Sequence, residues 1–417
     1  MRILMFCYEF PPLGGGGSKV VCGLSKELVR LGHEVDIVTM GFRGLPRYEE
    51  VNGARVFRVS LLRNKKHVCT VPEAAFYVLT ALMFARRLTS QHRYDINHTH
   101  FIFPDGVLAW SIKRSMQIPY VITAHGSDVP GYNPHKLKVA HKLMAPLWAM
   151  VIRNASWIVC PSKSLHTLLA AASGVDKNTT EIPNGIDLGK FTHDKPKKNR
   201  ILVVTRMLER KGVQHVLTAL EGLTLDHEVH IVGDGPYLPT LRQMAKATAI
   251  NVTFWGWLDG QSPELKELFE TSGVFVFPSE AENFPIVLLE AMAAGMAIIT
   301  TKDTGCAEVV GEAALLVKSG DAEAIRSALI FLANNPERCM ELGKAARQRL
   351  EENFGWATVA KRHIALYEKV INKQDRLPFR HIPALSVDRD TVPVVVPTLG
   401  RNNIKSCPVP EHQNHGR

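Results

Sequence analysis

Short apolar runs recur along the chain and alternate with segments whose apolar positions return every three or four residues. In the first half, residues 3–8, 34–39, 54–59, 95–99, 120–123, 157–160 and 180–183 read as strands, and 19–31 reads as a helix closed by Gly32. A second series of strands covers 201–205, 227–232, 251–257, 274–278, 297–301 and 314–317, with helices at 239–247 and 263–271. This succession predicts an α/β protein with mostly parallel sheets and right-handed crossovers. The polar, proline-containing segment 194–200 reads as a linker between the two series. An amphipathic pattern over 355–371 predicts a last helix, and periodicity is lost afterwards. The expected organisation is a Rossmann-like domain over 1–190 and a second Rossmann-like domain over 200–354. A helix over 355–371 follows, and 372–417 is an extended or disordered tail. Two such domains enclose a deep cleft, a favoured place for ligands.

Glu282-Asn-Phe-Pro-Ile-Val-Leu-Leu-Glu290 is the most informative stretch. Its two carboxylates straddle the start of a helix that Pro285 is suited to open, since proline in the first turn loses no needed hydrogen bond. The run 274–278 before it is strand-like, so Glu282 lies on a loop at the carboxyl end of a parallel strand, where open α/β sheets bind ligands. Free N–H groups from Asn283 to Ile286, together with the helix dipole, favour an anion there. Acids fit an anion site only if they bind the hydroxylated part of the anionic ligand. A nucleotide sugar has both parts.

Composition narrows the picture. A chain of 417 residues with an apolar fraction of 46% suits a soluble protein of two domains. No apolar run reaches the roughly 18 residues that a membrane span needs. Without a signal-peptide pattern at the first residues, a cytoplasmic location is expected. Seven cysteines occur without any Cys-x-x-Cys pair, and the odd count argues against a disulfide framework. No ligand cluster for a metal is visible. The net charge of +10 asks for an anionic partner, but no nucleic-acid signature accompanies it.

Other strand ends carry candidate chemistry. Pro11-Pro-Leu-Gly-Gly-Gly-Gly-Ser18 follows the first strand, and its glycines allow close backbone approach to a ligand. It is neither a Walker A loop nor a clean Gly-x-Gly-x-x-Gly. Arg206 and Lys211 stand on a strand-end loop of the second half, where arginine gives bidentate phosphate contact and lysine a mobile charge. Such a loop can equally be a solvated surface. His100 and His125 end two strands of the first half, and Asp128 could orient His125 or bind a hydroxyl. The turn Val232-Gly-Asp-Gly-Pro236 suits either a nucleotide contact or a plain turn.

Taken together and in this order, these residues resemble the family 4 glycosyltransferases of the retaining, GT-B-fold type, over about residues 1–371. The resemblance rests on Pro-Pro-Leu-Gly-Gly at 11–15, His-Gly-Ser-Asp at 125–128 and Ile-Pro-Asn-Gly-Ile-Asp at 182–187. In the second half it rests on Arg206 with Lys211-Gly, Val-Gly-Asp-Gly-Pro at 232–236, Phe277-Pro-Ser and the glutamate pair. It implies that Arg206 and Lys211 hold the donor diphosphate, that Glu290 binds the ribose and that Glu282 binds the transferred sugar. The backbone at Asn283, Phe284, Pro285 and Ile286 would line the donor site, with Gly233 near the nucleotide. The first domain would be the acceptor side, the second the donor side, and the helix over 355–371 would cross back to the first domain. Gly15 or Gly16 would approach the diphosphate from the first domain, and His125 would touch the sugar. It implies no metal and no resident cofactor, since the nucleotide sugar is a substrate.

The activity so implied is transfer of a hexosyl group from a UDP- or GDP-sugar to a glycan, lipid-linked or small-molecule acceptor. Front-face attack beside the departing phosphate is part of the resemblance and is not read from spacing. Two alternatives stay open: an epimerase or phosphorylase on the same scaffold, and a non-catalytic nucleotide-sugar-binding protein. The stretch 136–153, with Lys65-Lys66 and Arg86-Arg87, reads either as a surface for anionic membrane, on the inner face of the cytoplasmic membrane, or as a helix packed on the sheet.

Overall fold

The two alternating series form two sheets in a computed structural model, which describes residues 1–60, 62–66, 69–132, 138–175 and 178–374. The first sheet contains β1 (Arg2–Phe6), β2 (Glu34–Met40), β3 (Tyr48–Val51), β4 (Ala54–Val59), β5 (Ile96–His100), β6 (Tyr120–Thr123), β7 (Trp157–Cys160) and β8 (Thr179–Glu181). Their order is β3-β4-β2-β1-β5-β6-β7-β8, parallel except for the β3–β4 hairpin. The second sheet contains β9 (Lys198–Val204), β10 (Glu228–Val232), β11 (Val252–Gly256), β12 (Ser272–Phe277), β13 (Ala297–Thr301) and β14 (Leu315–Val317). Its order is β11-β10-β9-β12-β13-β14, and all its pairings are parallel.

Helices α1 (Gly16–Arg30), α2 (Val71–Gln91), α3 (Asp105–Met116), α4 (Lys138–Asn154) and α5 (Lys163–Ser173) belong to the first sheet. Helices α6 (Val213–Leu220), α7 (Leu238–Met244), α8 (Pro263–Thr271), α9 (Ile286–Ala293), α10 (Gly305–Val310), α11 (Ala322–Asn334) and α12 (Pro336–Asn353) belong to the second. Each sheet is sandwiched between two apolar clusters, one per face. That burial on both faces is what an all-parallel sheet requires.

The segment read as a linker is partly strand. Lys198, Asn199 and Arg200 begin β9, because strand register overrides their polarity: Arg200 pairs with Glu228, and Lys198 pairs with Ser272. The Arg200 guanidinium also donates to the Thr271 hydroxyl at 3.0 Å. Helix α13 (Trp356–Gln374) follows α12 and lies against α1. Its Val359, Ala360, Leu366, Tyr367 and Val370 fill the same apolar cluster as β1 and β2. Trp356 is wedged between Gly23 and Gly185, where an added Cβ would lie 2.2 Å and 2.4 Å from its ring. Only glycine admits that contact. The tail from 375 lies outside the described residues. Cys7, Cys69, Cys160, Cys306 and Cys339 are free thiols.

Candidate functional site

The loops at the carboxyl ends of β9 and β12 bring the charged residues of the second domain together. After β9 the chain makes a single 3-10 turn, Glu209–Lys211, and leaves it through Gly212 at φ 73°. A Cβ there would lie 2.2 Å from the Pro278 carbonyl, so glycine lets the two loops touch. Lys211 is thereby delivered to Glu282: their side chains form an ion pair and are only 9% and 11% exposed. The Lys211 ammonium also stands 5.8 Å from the centre of the Phe277 ring. Arg206, five residues earlier, is exposed and makes no ion pair or hydrogen bond through its side chain among the described residues.

Helix α9 starts after Pro285, whose φ of −73° suits its place at the cap. Glu290 lies in its second turn, buried, and pairs with Lys190. Burial pushes the Glu290 carboxyl up, but the Lys190 ammonium and then Lys19 on α1 pull it down further, so it is held below its ordinary value. Lys190 comes from the turn that follows Asn184-Gly-Ile-Asp187, and its ammonium stands over Phe191 at 5.1 Å. A cavity of about 300 Å³ opens beside it, between the Asp187–Phe191 turn and the Gly260–Gln261 loop. Each glutamate of the pair therefore has its own lysine. Neither Lys190 nor Lys19 was singled out from sequence: the motif read at 182–187 ends three residues before Lys190.

The first domain closes over this region with its glycine loop. Gly15 caps α1, with open space where a side chain would stand, and a Cβ on Gly16 would lie 3.8 Å from Ile286 of α9. Gly14 and Gly15 are held from below: Gly14 N–H donates to the Lys66 carbonyl at 3.0 Å and Gly15 N–H to Glu9 at 3.2 Å. A Cβ on Gly17 would lie 2.7 Å from Phe101 and 3.7 Å from the His125 ring. His125 is half-buried, and burial holds its pKa down at about 4. Its backbone N–H donates to Asp128 at 2.9 Å, and the other oxygen of Asp128 accepts from Ile102 N–H at 2.8 Å. Asp128 thus shapes the loop rather than contacting the His125 ring.

Gly15, Gly16, His125, Ile286, Lys211, Glu282 and Glu290 are thus gathered where the two domains meet. The side chains of Asn283 and Phe284 make contacts of their own. Asn283 accepts from the Ser162 hydroxyl of the first domain, and Phe284 packs edge-on against Phe354 at 5.6 Å. The Gly233 turn serves packing: at φ 133°, a Cβ would lie 1.8 Å from the Thr205 carbonyl. That contact sets the strand end from which Arg206 projects. Further contacts hold this junction together. The Glu308 carboxylate accepts from the N–H groups of Lys163 and Ser164 at 2.6 and 2.8 Å, capping α5, and Lys26 pairs with Asp187 at 3.4 Å. Among the described residues no group of three or more His, Cys, Asp or Glu side chains could hold a metal ion, and no helix is long and apolar enough to cross a membrane.

Comparison with known proteins gives matches along both halves. The model for Glycosyltransferase Family 4 matches residues 14–190, and that for Glycosyl transferases group 1 matches residues 187–349. An uncharacterized glycosyltransferase of Methanocaldococcus jannaschii is 25% identical over 402 residues, covering 90% of this chain and 100% of that protein. A GDP-mannose-dependent α-(1-6)-phosphatidylinositol monomannoside mannosyltransferase of Mycolicibacterium smegmatis is 26% identical, covering 85% and 95%. Among solved structures, sucrose-phosphate synthase from Thermosynechococcus elongatus superposes with a TM-score of 0.76 at 22% identity, covering 89% of this chain and 99% of that one. HepE of Anabaena in complex with UDP and glucose gives a TM-score of 0.68 at 16% identity, covering 88% and 100%. These two share the fold with this chain.

Proposed function

Because the chain belongs to the family 4 glycosyltransferases with a GT-B fold, we propose that it moves a hexosyl group from a UDP- or GDP-sugar to an acceptor, with retention of configuration and without a metal. The observation that carries this reading is the two part-buried ion pairs around the start of α9, Lys211 with Glu282 and Lys190 with Glu290. In each, a carboxylate able to accept from sugar hydroxyls stands next to a cation able to meet a phosphate. Glu290 would take the ribose and Glu282 the transferred sugar, with the base toward the cavity beside Lys190.

Chemistry follows from charge. Cleavage of the anomeric C–O bond leaves negative charge on the diphosphate and positive charge on the sugar ring. Arg206 and Lys211 would stabilise the leaving group, each by about 2–4 kcal/mol if it behaves like other preorganised donors. With Glu282 occupied in hydroxyl binding, the acceptor would attack on the face the diphosphate leaves, its proton passing to the departing phosphate oxygen.

The test is thermal-shift screening of UDP, GDP and ADP, followed by nucleotide release from the matching sugar donors in the presence of a chelator. The anomeric configuration of the product is then read by NMR. Inversion would overturn the stereochemical part, and epimerised donor without glycoside product would overturn transfer itself.

The acceptor side carries a second observation. Helix α2 exposes Val71 (66%), Leu79 (57%) and Met83 (60%) on the stripe that ends at exposed Arg86 and Arg87. Its carboxylate Glu73 is buried, turned back onto Thr70 and Asn64 N–H. Exposed apolar positions bordered by cations suit an anionic lipid surface and therefore a lipid-linked acceptor. For the stretch 136–153, residues 136–137 lie outside the described residues. Trp148, Val151 and Ile152 are buried, which favours the packed-helix reading there.

A further inference from the structure

His125 gives only one ring nitrogen to the protein. Its Nε2 lies 3.1 Å from Nδ1 of His100, and its Nδ1 meets no partner among the described residues. His100 is fully buried, and its Nε2 also lacks a partner among the described residues. Burial first, and then the neighbouring histidines, keep His100 well below its ordinary pKa, while burial holds His125 at about 4. Both rings are therefore neutral near pH 7.

A neutral imidazole carries one proton, so one ring of the pair donates and the other accepts. If His125 donated from Nε2, the His100 proton would sit on the buried Nε2 with no acceptor. Orphaned N–H groups are the rarer defect in folded proteins. If His100 donates from Nδ1, its Nε2 is left only as a bare lone pair. His100 is itself fixed in place: the His98 ring lies against it at 4.3 Å, and His98 is pinned by Thr123 at 2.8 Å and Tyr367 at 2.6 Å.

We infer that His100 is a positioning residue that donates from Nδ1 to Nε2 of His125 and so sets His125 as the Nδ1–H tautomer, a neutral donor for a ligand oxygen in the cleft. His125 then acts as neither a cation nor a general base toward that ligand. The ligand oxygen rests on the proposed function; the tautomer does not.

Long-range proton–nitrogen correlation spectra of the full chain with labelled histidine decide it, since the two neutral tautomers give different patterns. The wild type is expected to show Nδ1–H at His125. His100→Asn, whose amide nitrogen replaces Nδ1, is expected to keep that pattern, and His100→Leu to lose it. An Nε2–H pattern in the wild type, or an unchanged pattern in His100→Leu, overturns the inference. Sugar transfer is measured beside it: His100→Leu is expected to lose about tenfold in kcat with little change in donor KM, and His100→Asn to restore most of it. A changed tautomer with unchanged transfer would uphold the inference and sink the placement of His125 at the sugar.

Discussion

The Tyr367 hydroxyl on α13 lies 2.6 Å from Nδ1 of His98 on β5, so the last helix is hydrogen-bonded to a central strand of the first sheet. His98, His100, His125 and His363 cluster around this contact, and burial lowers the pKa of each.

This cluster makes stability depend on pH. Each folded-state value lies below that of the unfolded chain, about 6.5. The unfolded state therefore takes up protons first as pH falls. Stability should be complete above about pH 6.5 and fall toward pH 4, by up to about 1.4 kcal/mol per pH unit for each histidine. Urea unfolding between pH 4 and 7 checks this, and His363→Gln should flatten the slope. A flat profile in the wild type would contradict the account.

Lys190→Met removes the larger of the two cations that hold Glu290 down. Burial then dominates, and a destabilisation of about 3 kcal/mol near neutral pH is expected from the uncompensated carboxylate. The sign of the acid response changes too. In the wild type the contribution of Glu290 is present above the ordinary glutamate range and is lost as pH falls through its depressed value. In Lys190→Met, lowering the pH should instead recover stability at this site. Unfolding curves of both proteins decide between the two directions, and UDP or GDP binding should weaken in the variant.

Arg206→Ala and Glu290→Ala should each lower transfer at least tenfold, about 1.4 kcal/mol of barrier, with the fold kept. Circular dichroism and nucleotide-release rates measure the two halves of this statement. Near-normal turnover in both variants would sink the donor-site assignment. Arg206 is the cleaner probe, because no partner among the described residues is lost with it.

Replacement of Leu79 and Met83 on α2 by glutamate should weaken sedimentation with vesicles of phosphatidylglycerol and phosphatidylcholine while leaving thermal stability within about 0.5 kcal/mol, as for other exposed positions. Equal sedimentation of wild type and variant would remove the lipid reading of this face.

Much of this was legible in the chain, for identifiable reasons. Runs such as Ala297–Thr301 and Trp157–Cys160 are apolar and bounded by turn residues, so their limits were read from pattern alone. Strand β3 escaped, because Tyr48-Glu-Glu-Val51 is a polar edge. The Asn52-Gly53 turn with φ 52° and 82° was the signal available for that hairpin. Helix α1 begins three residues before the expected position, since Gly16, Gly17 and Ser18 form its first turn. In the site, Glu282 and Glu290 announced themselves by position, as strand-end and helix-start acids. Lys190 did not, and the strand-end position of His100 gave no sign of its pairing with His125. Their importance comes from which side chain stands opposite, a property of the folded chain that spacing along the sequence does not encode.

The crossing of α13 also orders the assembly of the protein in time. Val359, Leu366 and Tyr367 complete an apolar cluster whose first members are Ile3 and Met5. On the ribosome, the cluster against the earliest-made strands, begun by α1, therefore stays incomplete until almost the whole described chain has emerged. Loss of the last twenty described residues would strike the half of the molecule made first.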